Sequence, residues 1–157
     1  MGAFNSCQKT SREKILRMYR ENLPAAESIK ESTTSTTRVL LADDDPRFRS
    51  TLKRVMETRG GFRVREAADG EEAVLVARQF RPDAILMDLA MPRINGLEAT
   101  RIIKEQLPGT RIIVCSVHNE STYLRAAFAH GADAFLSKSK CFAELDSVER
   151  LVQEGQA

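Results

Sequence analysis

From Arg38 onward, short apolar runs and amphipathic stretches alternate five times along the chain. The runs are VLLA at 39–42, FRVREA at 62–67, AILM at 84–87, RIIVCS at 111–116 and AFLS at 134–137. The third and fourth are almost continuously apolar, as parallel strands are when helices cover both faces. Between the runs, apolar residues recur at helical spacing. Asp45 and Pro46 suit the start of a first helix whose inner stripe is Phe48, Leu52, Val55 and Met56, and Gly60 stops it. Asp69 and Glu72 have capping-box spacing for a second. Ala99, Ile103 and Leu107 carry a third before Pro108, and Leu124, Ala127 and Phe128 a fourth before Gly131. Leu145, Val148 and Val152 carry the last. Five β-α units with right-handed crossovers predict an α/β fold, a doubly wound five-stranded parallel sheet with five helices. Its ligand crevice lies beyond the carboxyl ends of the strands, where the winding direction switches.

Ahead of this domain, residues 28–37, SIKESTTSTT, are nearly all small or polar and read as a flexible linker. Residues 1–37 are thus an extension to a domain spanning 38–157. Within it Ile15, Met18, Tyr19 and Leu23 recur at helical spacing among Lys14, Arg17 and Arg20, which suits a short basic amphipathic helix or a tail that frays in isolation. The start Met1-Gly2-Ala3-Phe4-Asn5-Ser6 fits an acylation template, with Cys7 beside it, but so short a template also arises by chance. A formal net charge of +2 excludes a strong basic field toward nucleic acid or membrane. Cys7, Cys115 and Cys141 are odd in number and far apart, which argues against a disulfide framework or zinc site and for a reducing, cytoplasmic setting. No apolar run is long enough to span a bilayer.

Only a few polar residues stand at the strand ends: Asp43, Asp44 and Asp45 after the first, Asp88 after the third, Ser116 after the fourth and Lys138 after the fifth. Carboxylates gathered in one crevice repel, so they hold a proton at raised pKa or bind a hard divalent cation, and Mg²⁺ suits an oxygen-only set. Lys138 supplies a point charge for phosphate oxygens, and the Ser116 hydroxyl can donate to one of them. The nucleophile of such a phosphoryl site is a carboxylate. Asp88 stands alone after the central strand, whereas Asp43 and Asp44 are adjacent and better suited to metal work, and Asp45 before Pro46 reads as an ordinary helix start. The loop after Asp88, LAMPRING, holds a Pro and a Gly and is expected to turn sharply.

The strings VLLADDDPRFR, ILMDLAMPRINGLEAT, IIVCSVH and GADAFLSKS resemble the four signature regions of response-regulator receiver domains over residues 38 to about 154. The resemblance implies the flavodoxin-like receiver fold, with Asp88 as phosphoacceptor from a histidine kinase or phosphotransfer protein. It places Asp43 and Asp44 on the acidic metal pair, with Asp88 and the Ala90 backbone carbonyl completing the Mg²⁺ set. Ser116 falls on the hydroxyl switch, Phe135 on the aromatic switch and Lys138 on the family's lysine. It also implies a switchable surface on the fourth helix, fifth strand and fifth helix, open to a partner or a second copy. Such a chain catalyses only its own phosphorylation and dephosphorylation. The wording is most similar to receivers of the nitrate-response class, which usually carry a helix-turn-helix DNA-binding domain. Here 19 residues follow Lys138, too few for one, so direct DNA binding is not expected of this chain. Ser139 stands where many receivers have Pro, which puts in question the cis peptide they place after the lysine and leaves the lysine's role intact.

Three rivals are weighed against this. Haloacid-dehalogenase phosphatases also use an aspartyl nucleophile with Mg²⁺, in an Asp-x-Asp arrangement that Asp43 and Asp45 imitate, but Arg47 stands where a Thr or Val normally follows, and no late acidic pair appears near Ser137 to Ser139. A dinucleotide-binding module lacks its Gly-rich turn after the first strand. A degenerate receiver acting as an unphosphorylated binding module would be missing site residues, and none is missing here. His118, two residues beyond Ser116, can affect water access to an acyl phosphate or be a plain loop histidine. Cys115 reads as core packing and Cys141 as a helix-start residue.

Overall fold

The computed structural model describes residues 35–154; the amphipathic helix, most of the linker and the acylation template expected from the sequence lie outside them. Five strands, β1 (Thr37–Ala42), β2 (Phe62–Ala67), β3 (Ala84–Met87), β4 (Arg111–Ser116) and β5 (Ala134–Ser137), form one parallel sheet in the order β2-β1-β3-β4-β5. The winding therefore reverses between β1 and β3. Helices α1 (Pro46–Arg59), α2 (Gly70–Phe80), α3 (Gly96–Gln106) and α4 (Ser121–Ala129) follow the first four strands in turn.

Alternation along the strands assigns each residue to a face. Val39 and Leu41 of β1, with Leu86 and Ile113, pack on Leu52 and Met56 of α1. Leu40 and Ala42, with Ile85, Met87 and Ile112, pack on Ala73, Val74 and Ala77 of α2 and Ala99 and Ile103 of α3. A third, smaller cluster of Leu89, Val114, Ala127 and Ala132, joined by Leu97 and Phe135, holds α4.

Local chemistry sets the helix ends. Asp45 Oδ1 accepts the backbone N–H of Arg47 and Phe48 at 2.9 and 3.3 Å, with Pro46 at the first turn, and Gly60 ends α1 at a φ of 82° that a side chain would resist. Asp69 caps α2 through the Glu72 N–H at 2.8 Å, while Glu72 reaches back to the Ala68 N–H at 2.7 Å. Asn95 caps α3 through the Glu98 N–H.

Two expectations need correction. The described residues hold six helices rather than five, because the final stretch breaks at Glu144 (φ −120°, ψ 45°) into α5 (Lys138–Ala143) and α6 (Leu145–Gln153). Cys141 of α5 and Val148 and Val152 of α6 all enter the same core cluster. Secondly, the α4 stripe is not a buried one. Ala127 is buried, but Leu124 and Phe128 are exposed, as are Tyr123 and the nearby Val117. The helix meets its neighbours through one small residue, so periodicity alone overstated its burial. All described peptide bonds are trans, including the one before Ser139.

Candidate functional site

At the carboxyl ends of β1 and β3, either side of the winding switch, the chain leaves the sheet through Asp43-Asp44 and Asp88. The ladder holds these exits in place: Asp43 N–H donates to Ala67 O and Asp88 N–H to Ala42 O, at 3.1 and 2.8 Å. Asp43 and Asp88 are 2% and 3% exposed, whereas Asp44 opens to solvent. One carboxylate oxygen from each of the three lies within 4.8 Å of the others. Lys138, the first residue of α5, sends Nζ to 2.6 Å from Asp43 Oδ2 and 3.4 Å from Asp88 Oδ2. The other Asp43 oxygen, Oδ1, accepts the Asp45 N–H at 2.9 Å.

Two buried carboxylates share one ammonium, with a third carboxylate beside them, and the negative charge is in excess. Burial, and next the negative charge of Asp43, push Asp88 up to about 6, against the opposing pull of Lys138 and the Ala90 N–H. Burial by itself would lower the Lys138 ammonium, but its bond to Asp43 and the charge of Asp88 outweigh it and the pKa is raised. An oxygen-only donor set with excess negative charge and one arm in solvent fits a hard divalent cation that keeps several waters.

Ser116 ends β4. Val114 is the register partner of Met87, so Cys115 falls level with Asp88 and Ser116 lies one residue beyond it at the same end of the sheet, buried, its Oγ accepting the His118 N–H at 3.0 Å. Phe135 lies lower in the sheet, opposite Val114 in the register and packed on the small third cluster. The distances thus bring Asp43, Asp44, Asp88 and Lys138 together; Ser116 shares their end of the sheet, and Phe135 sits behind it. Ala90 follows on the loop, its N–H 3.4 Å from Asp88 Oδ1. Asp45 is taken up by the α1 cap, which removes it from the Asp-x-Asp arrangement of the phosphatase reading. His118 is an exposed loop residue whose ring stacks on Tyr123 at 5.1 Å.

Sequence reading missed three contributors. Phe48 places its ring 4.9 Å from Lys138 Nζ, giving the ammonium a third attractive neighbour. Arg49 donates to the Asp43 carbonyl and pairs with Glu66 at 3.5 Å, pinning the turn that carries the metal pair. Phe48 reads from the sequence as part of the packing stripe of α1, and no local pattern singles out Arg49. Gly96 is present for space rather than for the sharp turn expected of it: a Cβ there would lie 1.9 Å from the Asp88 carbonyl oxygen. The left-handed residue of this loop is Arg93, at φ 68°, braced by Asp69 and Glu71.

Comparison with known proteins agrees with this geometry. The response regulator receiver domain family matches residues 39–149. The response regulator UvrY of Escherichia coli K12 is 40% identical over 119 residues, covering 75% of this chain and 55% of that protein. The crystal structure of a two-component response regulator of the LuxR family from Aurantimonas sp. SI85-9A1 superposes with a TM-score of 0.70 at 37% identity, covering 76% of this chain and 86% of that one. A response regulator from Burkholderia pseudomallei, solved with a phosphorylated aspartic acid, calcium ion and citrate, gives 0.68 at 29% identity, covering 74% and 66%. The chain spans about half the length of the curated relatives it matches. With the family match running through every strand and every polar strand end, this chain belongs to the response regulator receiver domain family.

Proposed function

We propose that the chain takes a phosphoryl group onto Asp88 from a phosphohistidine of a sensor kinase or phosphotransfer protein, and that the acyl phosphate switches a protein-interaction surface. The observation that carries this is a buried carboxylate flanked by an ammonium at 3.4 Å and two further carboxylates within 4.8 Å. The phosphorylated aspartic acid of the similar Burkholderia chain supports the same reading. Asp43, Asp44, Asp88 and the Ala90 carbonyl would hold Mg²⁺, which when bound supplies positive charge to offset the crowded oxygens.

Asp88 is the nucleophile: a carboxylate oxygen bonds to phosphorus as the P–N bond of the donor breaks, leaving an acyl phosphate. Lys138, already lying between Asp43 and Asp88, moves its charge onto a phosphoryl oxygen. Ser116, whose hydroxyl proton is free to point away from the His118 N–H it accepts, donates to another. Drawing Ser116 inward vacates space that the half-buried Phe135 ring can occupy, since packed cores adopt discrete arrangements. The surface of α4, β5 and the last helix, α6, then changes shape, and the exposed Tyr123, Leu124 and Phe128 offer it to a partner or a second copy.

In this reading the chain turns over no substrate other than its own phosphate. Residues 38–157 form the receiver and 1–37 an extension, direct DNA contact is left to other domains or proteins, and the setting is cytoplasmic. No helix among the described residues is long and apolar enough to cross a membrane. Intact-mass spectrometry after incubation with a small acyl phosphate and Mg²⁺ tests the proposal. A phosphoryl adduct mapped to Asp88 and absent from Asp88→Asn is expected; an adduct that persists in that variant overturns it.

A further inference from the structure

Cys115 and Cys141 take no part in the chemistry above, yet they touch. Cys115 sits on β4 directly before Ser116, and Cys141 lies within α5, three residues after Lys138. Their side chains are 1% and 0% exposed in one core cluster, with the sulfurs 3.4 Å apart. Cys141 is therefore a core residue and not merely a helix start. Apolar side chains would fill the space as well. Two thiols in contact differ in one respect, that the loss of two electrons joins them.

We propose that Cys115 and Cys141 are a redox modification site, at which a hydroperoxide converts the thiols to a disulfide that ties α5 to β4 and displaces Lys138 and Ser116. An S–S bond requires the sulfurs to come about 1.4 Å closer, which side-chain rotation and a small shift of α5 can supply. The displacement follows from position. Ser116 adjoins one sulfur in sequence, and Lys138 lies one helical turn before the other.

Access comes from the weakness of α5. The helix has six residues, no side-chain cap at Ser137 and a break at Glu144, and its Phe142 is 43% exposed. Segments with few buried contacts open locally at a small fraction of the global unfolding free energy. The attacking sulfur is that of Cys141. Contact with Cys115 lowers its pKa, burial opposes this, and the Lys138 ammonium adds to the lowering. Its thiolate attacks one peroxide oxygen, the O–O bond breaks, and the departing hydroxide takes up a proton to give water and a sulfenic acid. On reclosure the Cys115 sulfur attacks the sulfenic sulfur, the S–S bond forms, the S–O bond breaks, and a second water leaves with the thiol proton. Two thiols are oxidised by two electrons, and the hydroperoxide is reduced to water, or to water and an alcohol.

The test uses the full reduced chain treated with hydrogen peroxide, alkylated and cut with trypsin. The expected product is a reductant-sensitive cross-link between peptides 112–125 and 141–150, accompanied by amide NMR shifts at Ser116 and Lys138. Oxidation that yields only sulfinic acids, or cross-links only through Cys7, overturns the pair. A 115–141 cross-link without shifts at Ser116 and Lys138 overturns the displacement. If Asp88 accepts phosphoryl as proposed, the oxidised protein labels about tenfold more slowly or worse, since small misplacements of reacting groups cost that much. Cys141→Ala is expected to label normally and to resist peroxide. The labelling arm alone rests on the Asp88 reading: failure of the reduced protein to label counts against that reading, while the cross-link and the shifts still decide the pair.

Discussion

The two ends of the core are built to different standards. Against α1 and α6 the sheet buries thirteen residues in one cluster; at the α4 corner four buried residues suffice. The first region fixes Asp43 and Asp88 with backbone bonds and sets the Lys138 ammonium between their carboxylates and the Phe48 ring. The second leaves three large side chains of α4 in solvent and has no side-chain cap at its Glu120 start. A charge site has to be held to within fractions of an ångström, while a signalling surface has to be cheap to rearrange. The unequal packing serves both needs in one small domain.

Four measurements test this contrast, taken from the largest expected effect downward. Leu52→Ala on α1 removes a side chain with no exposure and should cost about 2–5 kcal/mol in urea unfolding. A loss as small as that of a surface change would show that the α1 side is not the rigid one. Gly96→Ala comes next. Its new methyl meets the Asp88 carbonyl oxygen, so the start of α3 must move, at a cost of about 1–3 kcal/mol by unfolding. It should also shift the Asp88 amide in NMR; stability and shifts both unchanged would mean that the loop yields freely.

The third is a pH effect. Because the folded state holds the Asp88 proton more tightly than an unfolded carboxylate does, its contribution to stability is fully present below about pH 4 and is lost as pH rises through about 6. Without divalent cations, the denaturation midpoint of Asp88→Asn should therefore gain on the unmodified protein between pH 4 and 7, and Mg²⁺ should close the gap. A difference that stays flat over that range would show that Asp88 is not crowded. The smallest effect belongs to Phe128→Ala, expected within about 0.5 kcal/mol because the ring is 47% exposed. A cost near that of Leu52→Ala would erase the contrast between the two regions.

Much of this was readable from the chain alone because local rules and global fold agree. The apolar runs gave the strand cores, Asp45 and Asp69 marked helix starts, and the strand-end acids and Lys138 meet as their positions in a doubly wound sheet require. What escaped was decided by neighbours distant in sequence. Leu124 and Phe128 have helical spacing, but whether such a stripe is buried depends on what faces it. The break at Glu144 has no Gly or Pro to announce it, and Cys141, Val148 and Val152 keep helical same-face spacing across it, so the pattern of apolar residues does not reveal it. Phe48 was hidden by a helical pattern that already gave it a packing role, and Arg49 by partners that no local pattern announces.

The ion contact between Lys138 and the two buried carboxylates also bears on how the chain is made. Translation delivers β1 and β3 well before β5, so any intermediate assembled from the first four strands holds Asp43 and Asp88 together without their cation. That intermediate is electrostatically frustrated at neutral pH and relieved by protonation or by a divalent ion from the medium. In such an intermediate, docking of the last strand does more than complete the sheet: it brings Lys138 to the acidic pocket and offsets its charge.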